Sequence, residues 1–259
     1  MTPGNSGKSG QSGESVQSSQ SHQTGQPSQS DQPGQADNPA TGNDSGVHIS
    51  DVDMNEVLKY LSRRDKTLGA FIKKVGPCTL SGQRTAAIET HFESIVFAII
   101  AQQLSGKAAD TISLRLKGLA GDPVTPESIA KLSTDELRSV GLSGAKTKTI
   151  IGLTSAVLDG DLDLDALYRM TDQQVHDALT ALWGIGRWTA EMTMIFRLGR
   201  LDVWPTGDLA VRKGWGIINR LDTPPTADEL EDVANHLSPY RSIVAWYCWR
   251  ATDETSLIW

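Results

Sequence analysis

Between Leu179 and Phe196 two helical patterns run into each other at a pair of glycines. Leu179 and Leu182 close the first pattern at helical spacing. Met192, Ile195 and Phe196 carry the second, and Gly184-Ile185-Gly186 stands between them. Apolar residues at this spacing mark a helix face that must be buried. The chain therefore has to turn sharply within a few residues, and glycine permits such a turn while leaving backbone N–H groups open to a partner. Those N–H groups stand at the start of the second helix, where the helix dipole favours an anion. A phosphate is the natural guest.

Helix signals recur on both sides of this hairpin. Asp51 is a candidate N-cap for a helix through Val52, Val57, Leu58 and Leu61, and Leu68, Phe71, Ile72 and Val75 continue the pattern up to Gly76-Pro77. Thr79 to Arg84 reads as a polar turn. Phe92 to Leu104 is the most apolar stretch and predicts a buried helix; it ends at Gln102-Gln103-Leu104-Ser105-Gly106, and a further helix runs to Leu119. Thr125-Pro126 opens a short helix with proline at its first position. Ser133 with Glu136, Thr171 with Gln174 and Thr226 with Glu229 have capping-box spacing. Val140-Gly141-Leu142-Ser143-Gly144 is a degenerate copy of the hairpin; Lys146 and Lys148 after it suit a phosphate and a solvated helix start equally. Asp208 precedes a helix opened by Leu209, and Tyr240 to Trp249 forms the last, with Trp246 and Trp249 on one face. No alternating strand pattern competes, so the fold class is all-α.

Residues 1–46 are mostly Ser, Gln, Gly, Pro, Asn and Asp with almost nothing apolar. Such a segment cannot bury enough surface to offset its ordering entropy and is expected to be disordered, leaving 47–259 as the folded part. The acidic run Asp161 to Asp165 lacks the glycine and glutamate of a calcium loop and reads as a solvated loop. No stretch has the length of a membrane span or the apolar core of a signal peptide, so a cytoplasmic location is expected, or a nuclear one in a eukaryote. The net charge of −7 is awkward for a nucleic-acid binder. Its distribution matters more: Arg187, Arg197, Arg200, Arg212, Lys213 and Arg220 outnumber the acids around the hairpin, which predicts a local positive face.

Leu182-Trp183-Gly184-Ile185-Gly186-Arg187-Trp188-Thr189-Ala190, followed by Asp202-Val203-Trp204-Pro205-Thr206-Gly207-Asp208, resembles the helix-hairpin-helix DNA glycosylases. Within them it is most similar to the 3-methyladenine DNA glycosylase II branch. A Gly-x-Gly hairpin alone is weak; the hairpin, the spaced aspartate and Gln102-Gln103-Leu104 together are specific. The resemblance covers roughly residues 86 to 250. It implies two helical lobes with a DNA cleft between them: a helical barrel over about 88–198 and a second lobe from the flanking segments. The stretch from Asp51 to Thr85 is too short for the β-rich domain that some relatives carry.

From spacing alone, Asp208 is a helix cap. The resemblance gives it catalytic work: a fixed carboxylate stabilises the oxocarbenium character that builds on the sugar as the base leaves, and orients or deprotonates water. Position 188 separates two reaction classes. Bifunctional relatives carry a lysine there, which forms a Schiff base with the sugar; Trp188 has no amine, so water is the nucleophile and an abasic site remains. Trp188, Met192 and Trp249 are the expected base pocket, with aromatic faces suited to cationic alkylated purines of the 3-methyladenine and 7-methylguanine type. Trp183, Trp204 and Trp215 are expected in the core or supporting the cleft. Gln102, Gln103 and Leu104 are implied to enter the DNA where the nucleotide has left, and Gly184, Gly186, Arg187 and Thr189 to hold its backbone. The partner is double-stranded DNA with alkylated bases, met by a monomer. Two cysteines cannot supply the four ligands of the iron–sulfur cluster found in many relatives, so no cofactor and no metal is expected. Two other readings stay open: a non-catalytic helix-hairpin-helix DNA-binding protein, and a glycosylase for other damaged or mismatched bases.

Overall fold

Side-chain caps set where most of the helices begin. A computed structural model of the protein describes residues 48–80 and 90–252; the tail over 1–46 and most of the polar stretch between Thr79 and Arg84 lie outside the described residues. The first helix, α1 (Met54–Arg64), is capped by Asp53, which accepts the Asn55 N–H at 2.9 Å. This corrects the assignment of Asp51, which instead closes a 3-10 turn, Ile49–Asp51, by accepting the His48 N–H. Asp65 caps α2 (Lys66–Val75), which Gly76 ends at φ 93°. Thr90 caps α3 (His91–Ala101). There follow α4 (Gly106–Ala120), α5 (Pro126–Ile129), α6 (Thr134–Ser139) and α7 (Gly144–Leu158). Next come α8 (Asp172–Thr180) and α9 (Arg187–Met192), which runs on into a π turn at Thr193–Arg197. The chain closes with α10 (Leu209–Asn219), α11 (Ala227–Val233) and α12 (Arg241–Ala251). The capping boxes at Ser133, Thr171 and Thr226 all form. Among the described residues the extended pairing is limited to one isolated bridge, His48 with Arg200.

The apolar run predicts a buried helix, and α3 is one. Ile95, Val96, Ile99 and Ile100 are fully buried, and α3 packs against α4, α7, α9 and the π turn. The flanking segments pack on one another: α1 on α2, and α2 and α12 on α10. Gly214 sets that last contact. A Cβ there would stand 1.9 Å from the Cys248 carbonyl oxygen, so only glycine lets α10 and α12 come this close. The approach brings Trp249 of α12 beside Asp208, the cap of α10.

Arg200 overturns part of the expected positive face. It is fully buried, and its Nη2 donates to the carbonyls of Leu167, Tyr168 and Met170. Asp172 lies 3.3 Å from its Nε. The guanidinium has more donors than any other side chain and here pins the 166–172 segment to the end of the π turn. Arg197 donates to His91, and Arg212 reaches the Pro225 carbonyl. These three arginines are engaged with protein groups, whereas Arg187, Lys213 and Arg220 of the same set are exposed.

Candidate active site

The hairpin turns at Gly184, whose φ is +83°. A Cβ on Gly184 would fall 1.9 Å from the Thr149 hydroxyl oxygen, so glycine is required both by the backbone and by its neighbour on α7. Gly186 precedes α9 in extended conformation with open space at its Cβ position. Trp183, expected in the core or as cleft support, is 55% exposed; the turn carries it outward, where the Lys148 amine lies 4.0 Å above its ring. Trp204 and Trp215 do lie in the core, edge to face at 5.8 Å.

Facing the hairpin is the turn between α3 and α4. Gln102 ties the two together: its Nε2 donates to the Gly184 carbonyl at 3.1 Å and to the Thr189 hydroxyl at 2.9 Å. Lys146 donates to the Ile100 and Gln102 carbonyls, which the end of α3 leaves without helical partners. Burial lowers the pKa of this amine. Lys146 is thus engaged with backbone carbonyls, while Lys148 is exposed and lies over the Trp183 ring. Gln103 is exposed with φ +56°, a conformation uncommon outside glycine, and Leu104 beside it is 40% exposed.

Asp208 completes the arrangement. Its Oδ1 accepts the Val211 N–H at 2.9 Å, which caps α10, and the Trp249 Nε1–H at 3.4 Å; its Oδ2 accepts the Trp188 Nε1–H at 2.7 Å. Three N–H donors fix the carboxylate, and no cation pairs with it among the described residues. A cavity of about 890 Å³ opens here, walled by Gln102–Gly106, by Gly184 and Gly186–Thr189 with Glu191, and by Gly207–Ala210 with Lys213.

Residues 96–239 match the HhH-GPD superfamily of base excision DNA repair proteins. The chain belongs to this superfamily. Its relatives include the alkylbase DNA glycosidase-like protein mag2 of Schizosaccharomyces pombe, 31% identical over 77% of this chain and 94% of that protein. DNA-3-methyladenine glycosylase 1 of the same yeast is 31% identical over 74% of this chain and 85% of its own length. The solved structure of the S. pombe 3-methyladenine DNA glycosylase Mag1 with abasic DNA superposes with a TM-score of 0.70 at 30% identity, covering 75% of this chain and 95% of that one.

Against this superfamily, the residues expected at the site fall into three groups. Asp208, Trp188, Gln103, Leu104, Gly184, Gly186 and Arg187 all line the cavity. Gln102 and Thr189 line it too, but their polar groups are bonded to each other, and Thr189 is buried. Met192 and Trp249 stand behind the wall. Met192, one turn beyond Trp188 on the same face, has already passed into the core; Trp249 is buried against Phe196, ring centres 5.2 Å apart, and reaches the cavity only through its hydrogen bond to Asp208.

Two charged cavity residues were not singled out for the site from sequence. Lys213 projects from α10 and is exposed. Glu191 is buried, and its Oε1 accepts the Arg187 Nε–H at 2.7 Å. Burial pushes its carboxyl up to about 7, with Asp208 and Glu231 adding to the rise and Arg187 opposing it. The signal in the sequence was the i, i+4 spacing of Arg187 and Glu191, which ordinarily marks a solvated surface pair. Among the described residues no group of three or more His, Cys, Asp or Glu side chains is placed to hold a metal ion, and no helix is long and apolar enough to cross a membrane.

Proposed function

We propose that this protein is a monofunctional DNA glycosylase that removes alkylated purines, of the 3-methyladenine and 7-methylguanine type, from duplex DNA by hydrolysis. The observation that carries the reading is Asp208, held by the indole N–H of Trp188 at the mouth of a cavity, with no amine at position 188. A flipped nucleotide places its base in that cavity and its sugar beside the carboxylate. As the glycosidic bond lengthens, positive charge grows on the sugar; Asp208 stabilises it and directs water to the anomeric carbon. An alkylated cationic purine is already a good leaving group, so the reaction needs no dedicated general acid.

Each remaining part has a task in this reading. The N–H groups after Gly184 and Gly186 hold a backbone phosphate at the start of α9. Leu104 and Gln103, on the exposed lip, fill the gap left in the duplex. The α3–α9 segment forms one lobe and the flanking helices the other, and DNA lies in the cleft whose walls they share. The protein acts as a monomer without a cofactor, wherever the cell keeps its DNA. The names of the relatives support the substrate class.

Strand chemistry tests the reaction class. Methylated duplex treated with the protein should break only after alkali, and borohydride should trap no protein–DNA adduct. A trapped adduct would overturn the hydrolytic mechanism and direct attention to Lys213, the amine that shares the cavity with Asp208.

A further inference from the structure

Glu191 has no role in the chemistry above, yet it lies on the cavity wall. Its side chain is 5% exposed, whereas that of its partner Arg187 is 56% exposed. The pair is lopsided: the guanidinium reaches solvent and a second acid, Glu231 at 3.7 Å, while the carboxylate stays inside, on the same cavity as Trp188 and Asp208. Glu231 is itself occupied by the Thr206 hydroxyl. A cavity with a buried carboxylate in its wall distinguishes a cation from a neutral guest of the same shape, because the charge interaction is poorly screened there.

Resting on the glycosylase reading, we propose that Glu191 is a specificity-determining residue, whose ionised carboxylate favours positively charged bases over neutral ones in the pocket. A cationic base and an ionised Glu191 stabilise each other, so binding the base drives a proton off this side chain. Neutral bases gain nothing from that ionisation. The carboxyl titrates near neutral pH because it is buried. Selection for charge is therefore stronger above this range than below it.

The charged groups around Glu191 support this assignment. Arg187 lies on its own helix, Asp208 caps α10, Glu231 is on α11, and Lys213 shares the cavity. Of the other elements packed on α9, α3 carries His91, bonded to Arg197 of the π turn, and Glu93, paired with Lys117. On α8, Asp172 faces Arg200, and His176 contacts Asp177. These groups have partners of their own.

The test compares wild type with Glu191→Gln, which keeps the shape of the side chain. The readout is single-turnover release of 3-methyladenine from methylated duplex between about pH 5.5 and pH 8.5; the N3-methylated nucleotide, while still joined to its sugar, carries a fixed positive charge. The two proteins should release it alike at the acid end, where Glu191 is protonated. Wild type should pull ahead as pH rises through the neutral range, by about tenfold at the alkaline end. Their affinities for duplex carrying neutral 1,N6-ethenoadenine should stay parallel at every pH. A rate deficit that is the same at all pH values, or no deficit at all, overturns the proposal and leaves Glu191 as a tether for Arg187. If the Gln protein melts well below wild type, Glu191→Asp serves instead and should keep the rising limb. Absence of release by wild type at any pH would count against the glycosylase reading itself and not against Glu191 alone.

Discussion

Replacing Asp208 by asparagine removes one charge and turns one of two acceptor atoms into a donor. Both oxygens are occupied: Oδ1 by the Val211 and Trp249 N–H groups, Oδ2 by the Trp188 N–H at 2.7 Å. The new amide has only one oxygen. If that oxygen caps α10, the NH₂ group faces the Trp188 N–H donor to donor; the flipped amide loses the cap. One good hydrogen bond to a charged acceptor disappears in either orientation, at a cost of about 2 kcal/mol. For a folded region of this size that lowers Tm by about 4–8 °C. The asparagine is therefore a less silent replacement than its capping ability suggests. The chemical loss is larger, because a neutral amide cannot offset the sugar's positive charge. Removing a preorganised electrostatic group of this kind costs on the order of 10²–10³ in rate, and loss of help to water adds to it. Single-turnover release of 3-methyladenine from methylated duplex, with enzyme in excess, should fall about 10³-fold or more, while binding measured by anisotropy stays within a few-fold. A folded Asp208→Asn protein that releases base within tenfold of wild type would refute the catalytic assignment.

Two further outcomes are expected. Gly184→Ala combines a positive φ with a Cβ that collides with Thr149, so it should cost about 2 kcal/mol or more in denaturant unfolding and weaken binding to undamaged duplex; a variant with unchanged stability and affinity would show that the hairpin tolerates a side chain. Deleting residues 1–46, which contain almost no apolar surface, should leave Tm and base release nearly unchanged, and a large fall in Tm would show that the segment contributes to folding.

The helices were legible because their ends are written locally. Ser133, Thr171, Asp208 and Thr226 each stand one residue before a helix and accept a backbone N–H of its first turn, whereas the break at Asp65 between α1 and α2 was hidden by an apolar pattern that continues across it. The misplacement of the first cap has the same local origin: Asp51 and Asp53 are both suitable, and a 3-10 turn took the former. What the sequence did not disclose is depth. Trp188 and Met192 share a face, and period alone gives them one environment, but α9 descends into the core and only Trp188 meets the cavity. Arg200 and Glu191 look like surface charges by type and spacing; tertiary packing buries both. Trp183 shows the reverse, an aromatic that a glycine turn carries outward to a lysine. Gln102 was legible as a special residue at the end of α3, but its hydrogen bonds across 82 and 87 residues to the hairpin are long-range information that no local pattern holds.

What leaves the DNA separates an enzyme from a binding module. The direct measurement is to incubate the protein with methylated duplex and identify the released bases by chromatography and mass. The account predicts free 3-methyladenine and 7-methylguanine, with abasic sites appearing in equal number. A protein that binds the duplex through its hairpin and releases no base under these conditions would contradict it, and would leave a DNA-binding module in place of an enzyme.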